Sequence, residues 1–158
     1  MKAKTDSQSY RSSGLAVLAC ALVLVGSIAR AAEQVEGLDV VTATGPHHYE
    51  VEIANDEASR EHGLIDRRAM PADHGILFEF PARAPVTFWM KDTYIPLDMI
   101  FIDYDGTVRN VVANAVPQSE ALIPSRAPVV AVLELNGGQA KAIDLKAGDK
   151  VRAAFFSR

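Results

Sequence analysis

Apolar residues along most of this chain recur with a period of two. Tyr49, Val51 and Ile53 alternate with Glu50 and Glu52. Ile76, Phe78 and Phe80 share one parity, with Leu77 and Glu79 on the other. Val86, Phe88 and Met90 alternate with Thr87, Trp89 and Lys91. Successive side chains of an extended strand point to opposite faces, so this pattern predicts strands with one face in a core. Turn residues separate the runs. Gly45-Pro46 joins Leu38–Thr44 to Tyr49–Ile53 as a hairpin, and Asp105-Gly106 joins Leu97–Asp103 to a returning strand over Thr107–Val116. A proline-punctuated loop spans Pro117–Pro128. The most apolar strand follows at Val129–Leu135, and a final one is predicted over Val151–Phe156.

Helical signals are few and short. Asn55-Asp56 offers an N-cap and Gly63 a left-handed stop, which predicts a helix from Glu57 to His62. Asp66–Pro71 reads as one further turn of helix halted by its proline. Gln139–Ile143 follows Gly137-Gly138 as a brief helix. Together these elements predict an α+β fold, mostly antiparallel β: a compact β-barrel or sandwich-like sheet with two or three short helices.

The first 31 residues have a different character. Lys2, Lys4 and Arg11 precede an uncharged run from Ser12 to Ala29, and Ala29-Arg30-Ala31 supplies small residues at the spacing of a cleavage site. This tripartite pattern predicts a secretory signal peptide over residues 1–31 and hence an exported, periplasmic protein. The alternative is a retained membrane anchor, for which the apolar run is marginal, since a spanning helix needs about 20 residues. A short segment, 32–37, then leads into one β-rich domain, 38–158, and no stable membrane span remains after cleavage. Cys20 is the sole cysteine and falls in the leader, so thiol chemistry, disulfides and thiolate metal sites are absent from the mature chain.

Charge narrows the functional classes. The leader carries four of the 16 Lys and Arg residues and one of the 20 Asp and Glu residues, leaving 12 bases against 19 acids, a net of −7. A domain this acidic has no basic stripe for nucleic acid and no attraction to an anionic membrane surface. His47-His48 point to opposite sides of an extended chain and chelate poorly. Asp103–Gly106 begins like a calcium loop but lacks the later ligands. No metal or cofactor is expected.

The candidate chemistry lies where charge interrupts apolar runs. Asp98 shares a strand face with Ile100 and Ile102, and Glu134 shares one with Val130 and Val132. A carboxylate on such a face must find donors or shift its pKa. Trp89, flanked by Thr87 and Lys91 on its own face, is either a binding wall or a core plug. Asp92 sits in the polar bend Lys91–Pro96. Arg60 and Arg67, with Arg68, form the basic cluster of the mature chain, either an anion fork or a solvated face. Two functional readings follow. In one, Trp89, Lys91, Asp92 and Asp98 line a pocket for a small polar ligand or an envelope protein, with Glu134 holding an arginine. In the other, Asp98 and Glu134 are the acid and base of a hydrolase acting on a glycan or similar envelope substrate. A third possibility is that the polar cluster merely sets strand register.

The chain resembles the domain-of-unknown-function 192 family at several points. These are Gly63-Leu64 with Arg67, Gly75–Phe78, Phe88–Thr93, Pro96–Asp98 with Phe101–Asp103, Leu133–Asn136 and Gly148-Asp149. The resemblance spans roughly residues 39–156. It implies a β-rich α+β fold and an exported protein, and it carries over no activity and no catalytic residue. The family pattern usually has Asn at Asp92 and Met at Ile65.

Overall fold

The structure, a computed structural model, describes residues 34–157. The leader read from residues 1–31 lies outside the described residues. The elements run β1 (Val35–Thr42), β2 (Gly45–Ala54), α1 (Glu57–His62), β3 (His74–Ala84), β4 (Thr87–Phe88), β5 (Leu97–Ile102), β6 (Val108–Ala115), β7 (Ile123–Pro124), β8 (Val129–Asn136), α2 (Gln139–Ala142) and β9 (Lys150–Arg152). A 3-10 turn, Ala154–Ser157, ends the described chain.

Seven strands form one sheet in the order β6-β5-β8-β3-β2-β1-β9. Every neighbouring pair is antiparallel except β2 and β3, which run parallel. A parallel pair needs a crossover rather than a tight turn, and residues 55–73, with α1, supply it. The sheet curls until its outer strands meet at one end. Val108 N donates to Asp149 O (2.9 Å), Gly148 N to Val108 O (2.8 Å), and Thr107 bridges Lys150. The α+β, mostly antiparallel expectation is met by this half-barrel.

Apolar side chains fill both faces of the sheet centre. The concave face holds Leu38, Val40, Val51, Ile100, Leu133 and Leu135, closed by Ala140 and Ile143 of α2. The outer face holds Ile76, Phe78, Leu97, Met99, Phe101 and Val132. It would be wet without a roof, and two connections provide one, placing Leu64, Met90 and Ile95 over it. β5 is buried along its whole length for this reason.

Local signals placed α1 where the sequence predicts it. Asp56 accepts from Ser59 N (2.9 Å) in a capping box, and Gly63 N closes the far end on Ser59 O (2.9 Å). Three expectations are corrected. β1 starts at Val35, ahead of Leu38. No helical turn forms over Asp66–Pro71: Asp66 adopts a left-handed φ of 62° and gives its N–H to Asp92 O (2.9 Å), a geometry that ends helical propagation. The last strand stops at Arg152, and the chain turns so that Phe155 and Phe156 both pack on the concave core instead of alternating outward.

Candidate functional site

Glu134 faces the outer side of the sheet. Its neighbours across β8 are Ile76 on β3 and Met99 on β5, so the acid stands in an apolar row. The roof above it is tied down by backbone. Ser125 N donates to Val86 O (2.9 Å), Met90 N to Ser119 O (2.9 Å), and β4 pairs with β7. Phe88 then drops between Phe78 and Phe101, edge-on to both at 5.1 and 6.2 Å. Gly63, at φ 48°, lets the end of α1 settle on Phe78, since an added Cβ there would lie 3.0 Å from the ring.

The roof does not seal the sheet. A groove of about 650 Å³ runs between α1 and the β3–β4 region, lined by Arg60, Glu61, Phe78, Phe80, Val86, Thr87, Phe88 and Trp89. A smaller pocket of about 60 Å³ shares Arg60, Glu61, Phe78, Phe88 and Trp89 with it and adds His62, Lys91, Thr93 and Glu134. Trp89 is 54 % exposed and walls both spaces, whereas Glu134 is 4 % exposed at the inner one. Burial pushes the Glu134 carboxyl up to about 8, with no cation or donor lowering it. At neutral pH it is mainly the neutral acid, able to donate one hydrogen bond and accept others. The cations at the rim are engaged elsewhere. Arg60 donates to Glu79 O (3.0 Å) and lies 5.8 Å from the Phe80 ring centre. Lys91 lies 3.7 Å from Glu120 and 5.9 Å from the centre of Trp89.

The family model of DUF192, described as Uncharacterized ACR, matches residues 39–153. The chain belongs to this family. Two solved structures resemble the DUF192 domain with a TM-score of 0.76 each. One is a "putative transcription regulator" from Sinorhizobium meliloti, 49 % identical, covering 78 % of this chain and 96 % of its own. The other is a protein of unknown function from Novosphingobium aromaticivorans, 38 % identical, covering 79 % of this chain and 89 % of its own. No curated protein matches the chain.

Of the residues singled out from sequence, the DUF192 fold brings Trp89, Lys91, Glu134 and Arg60 around one pocket. It separates the other three. Asp98 pairs with Leu135 across β5 and β8, on the concave side, whereas Glu134 pairs with Met99 on the outer side. Fully buried, Asp98 accepts from Asn114 N (2.7 Å) and Ala140 N (2.6 Å). It fills a bulge in β6 and holds the first turn of α2. Arg67 forms a two-pronged pair with Glu52 (2.6 and 2.7 Å) that straps the 63–73 connection onto β2. Asp92 is exposed at a left-handed φ of 55°. Asn tolerates that conformation best among residues with a side chain, which accounts for the amide usual in the family pattern. Among the described residues no arginine pairs with Glu134, contrary to expectation: Arg67 is taken by Glu52, which lies in the same cross-strand row, and Arg60 donates to the Glu79 carbonyl.

Sequence reasoning overlooked Phe80, Val86 and Glu61 as groove walls. They flank turns, and only the crossover brings α1 beside the end of β3. It also overlooked Asp103, a buried carboxylate gripped by Arg83 (2.7 and 2.8 Å) and by Arg109. Its position at the end of an apolar strand was the available signal. The Arg83 guanidinium holds its carboxyl down at about 2. Among the described residues no cluster of His, Cys, Asp and Glu has the geometry of a metal site, and no helix is long and apolar enough to cross a membrane.

Proposed function

We propose that this is an exported, non-enzymatic binding domain whose ligand enters the groove walled by Trp89 and reaches Glu134. One observation carries the reading: a nearly buried carboxyl, without a hydrogen-bond or ion-pair partner among the described residues, opens into a cavity instead of being packed over. Holding an acid there is costly, because burial takes water from the carboxyl and disfavours its charged form. Large, well-formed apolar cavities with a few convergent polar groups are where small ligands bind. The Arg60 guanidinium and the Lys91 ammonium stand at the rim, each already engaged, by the Glu79 carbonyl and the Glu120 carboxylate.

The hydrolase reading finds no support, since Asp98 and Glu134 project from opposite faces of the sheet and Asp98 is sealed by backbone amides. The description of the Sinorhizobium meliloti neighbour suggests nucleic acid, but an excess of seven acids in the mature chain argues against that role here.

Trp89 is the single tryptophan of the chain, so intrinsic fluorescence reports on this groove alone. A screen of small molecules should find compounds that shift its emission and that lose binding, measured by calorimetry, in Trp89→Ala. Hits that bind Trp89→Ala as well as the parent would refute the site. Export is tested by fractionating cells and weighing the mature chain, which should begin just after Ala31.

A further inference from the structure

Resting on the groove as a ligand site, we infer that its occupant is a small amphiphilic amine: the ammonium group fills the inner pocket against Glu134 and the apolar chain lies along the groove. The argument is a buried acid that opens into a pocket bordered by three aromatic rings, Trp89, Phe88 and Phe78. The charged and titratable groups that face the inner pocket are Arg60, Glu61 and His62 from α1, Lys91 from the connection after β4, and Glu134 from β8. The flanking strands present only Ile76 and Met99 beside the acid. Arg60 and Lys91 already have acceptors of their own, in the Glu79 carbonyl and the Glu120 carboxylate. Although both line the pocket, neither pairs with Glu134, which has no cationic partner among the described residues.

Size and wall chemistry agree. About 60 Å³ is room for a head group of two or so water volumes, which suits an ammonium or aminomethyl group. Trp89, Phe88 and Phe78 border it, and aromatic faces attract cations, as the Lys91 and Arg60 side chains beside Trp89 and Phe80 already show. The outer groove, with Phe80 and Val86, accepts a hydrocarbon body. The proton balance is simple. The ligand arrives as R–NH3+, Glu134 passes from acid to carboxylate, and one proton leaves to solvent.

The test uses the whole mature chain and three probes of one length: hexylamine, hexanol and hexanoate. Trp89 emission is titrated with each between pH 6 and 9. Hexylamine should bind at least tenfold more tightly than hexanol. Its affinity should rise about tenfold from pH 6 to pH 7 and level off above pH 8, because the apparent affinity follows the ionised fraction of Glu134. Calorimetry at pH 7 in two buffers of different ionisation enthalpy should count close to one proton released. Glu134→Gln, which removes a buried acid and keeps its shape, should abolish both the pH dependence and the preference for the amine. Equal binding of hexanol, preference for hexanoate, or unchanged amine binding in Glu134→Gln would overturn the ammonium assignment and leave the groove standing as a site. If none of the probes moves Trp89 emission, both this inference and the groove reading fall.

Discussion

The Glu134 carboxyl makes the stability of the domain depend on pH in an unusual sense. In the unfolded chain its pKa is the ordinary 4.5, and in the folded chain burial raises it to about 8. Between those values the folded state keeps a proton that the unfolded state has lost. Stability contributed by the neutral acid is therefore complete below about pH 4.5 and falls as pH rises, by about 1.4 kcal/mol per unit, until the folded carboxyl ionises near 8. The total is about 5 kcal/mol, of which about 3 kcal/mol is already lost at pH 7. Against a typical domain stability of about 5–15 kcal/mol this is large. Replacing Glu134 by Gln removes the titration and keeps the volume. Urea unfolding at pH 4.5, 6, 7 and 8 should show the variant gaining on the parent progressively, and thermal melts at pH 7 should place it roughly 10 °C higher. Taking the difference between the two proteins cancels every other titrating group. Parallel curves for parent and variant from pH 5 to 8 would refute the burial of an unpartnered acid, and with it the basis of the site.

Other substitutions probe the supports. Asp98→Ala strands the amides of Asn114 and Ala140 and should cost about 2–4 kcal/mol in urea unfolding while leaving probe binding at the groove intact. Asp103→Asn should change acid unfolding: the parent carboxyl is held at about 2, so its contribution is complete above about pH 4 and is lost as pH falls toward 2, and the variant should lack that decline. Gly75→Ala would set a Cβ 2.5 Å from Glu134 O, which no side-chain rotation relieves, and should destabilise by about 1–3 kcal/mol on thermal melting. Trp89→Ala should leave the unfolding midpoint nearly unchanged, because the indole is half-exposed and the fold does not lean on it.

Much of this architecture is written locally. Alternation assigns a face to each residue within its own strand, and it marked Glu134 and Asp98 alike as acids in apolar company. Asp56 and Gly63 bound α1 through contacts within a few residues, so α1 came out where the sequence places it. β2, β3, β5, β6 and β8 were legible for the same reason, whereas β7 lies within the stretch Pro117–Pro128 read as a loop and β4 is only two residues of the alternating run Val86–Lys91. Asp66 was misread because its left-handed turn is held by Asp92, a residue far along the chain whose approach no local rule anticipates.

Which strands become neighbours is a different kind of information, since it depends on the crossover after β2 and on the order of strands in the sheet. That order put Asp98 beside α2, where two amides satisfy it, and Glu134 beneath the Trp89 roof, where no described residue does. By itself the sequence determined that two carboxylates would sit among hydrophobes. The tertiary structure alone decided that one is an internal brace and the other a buried acid at the floor of a groove, because hydrogen-bond partners arrive from chain segments that meet only when the sheet has closed.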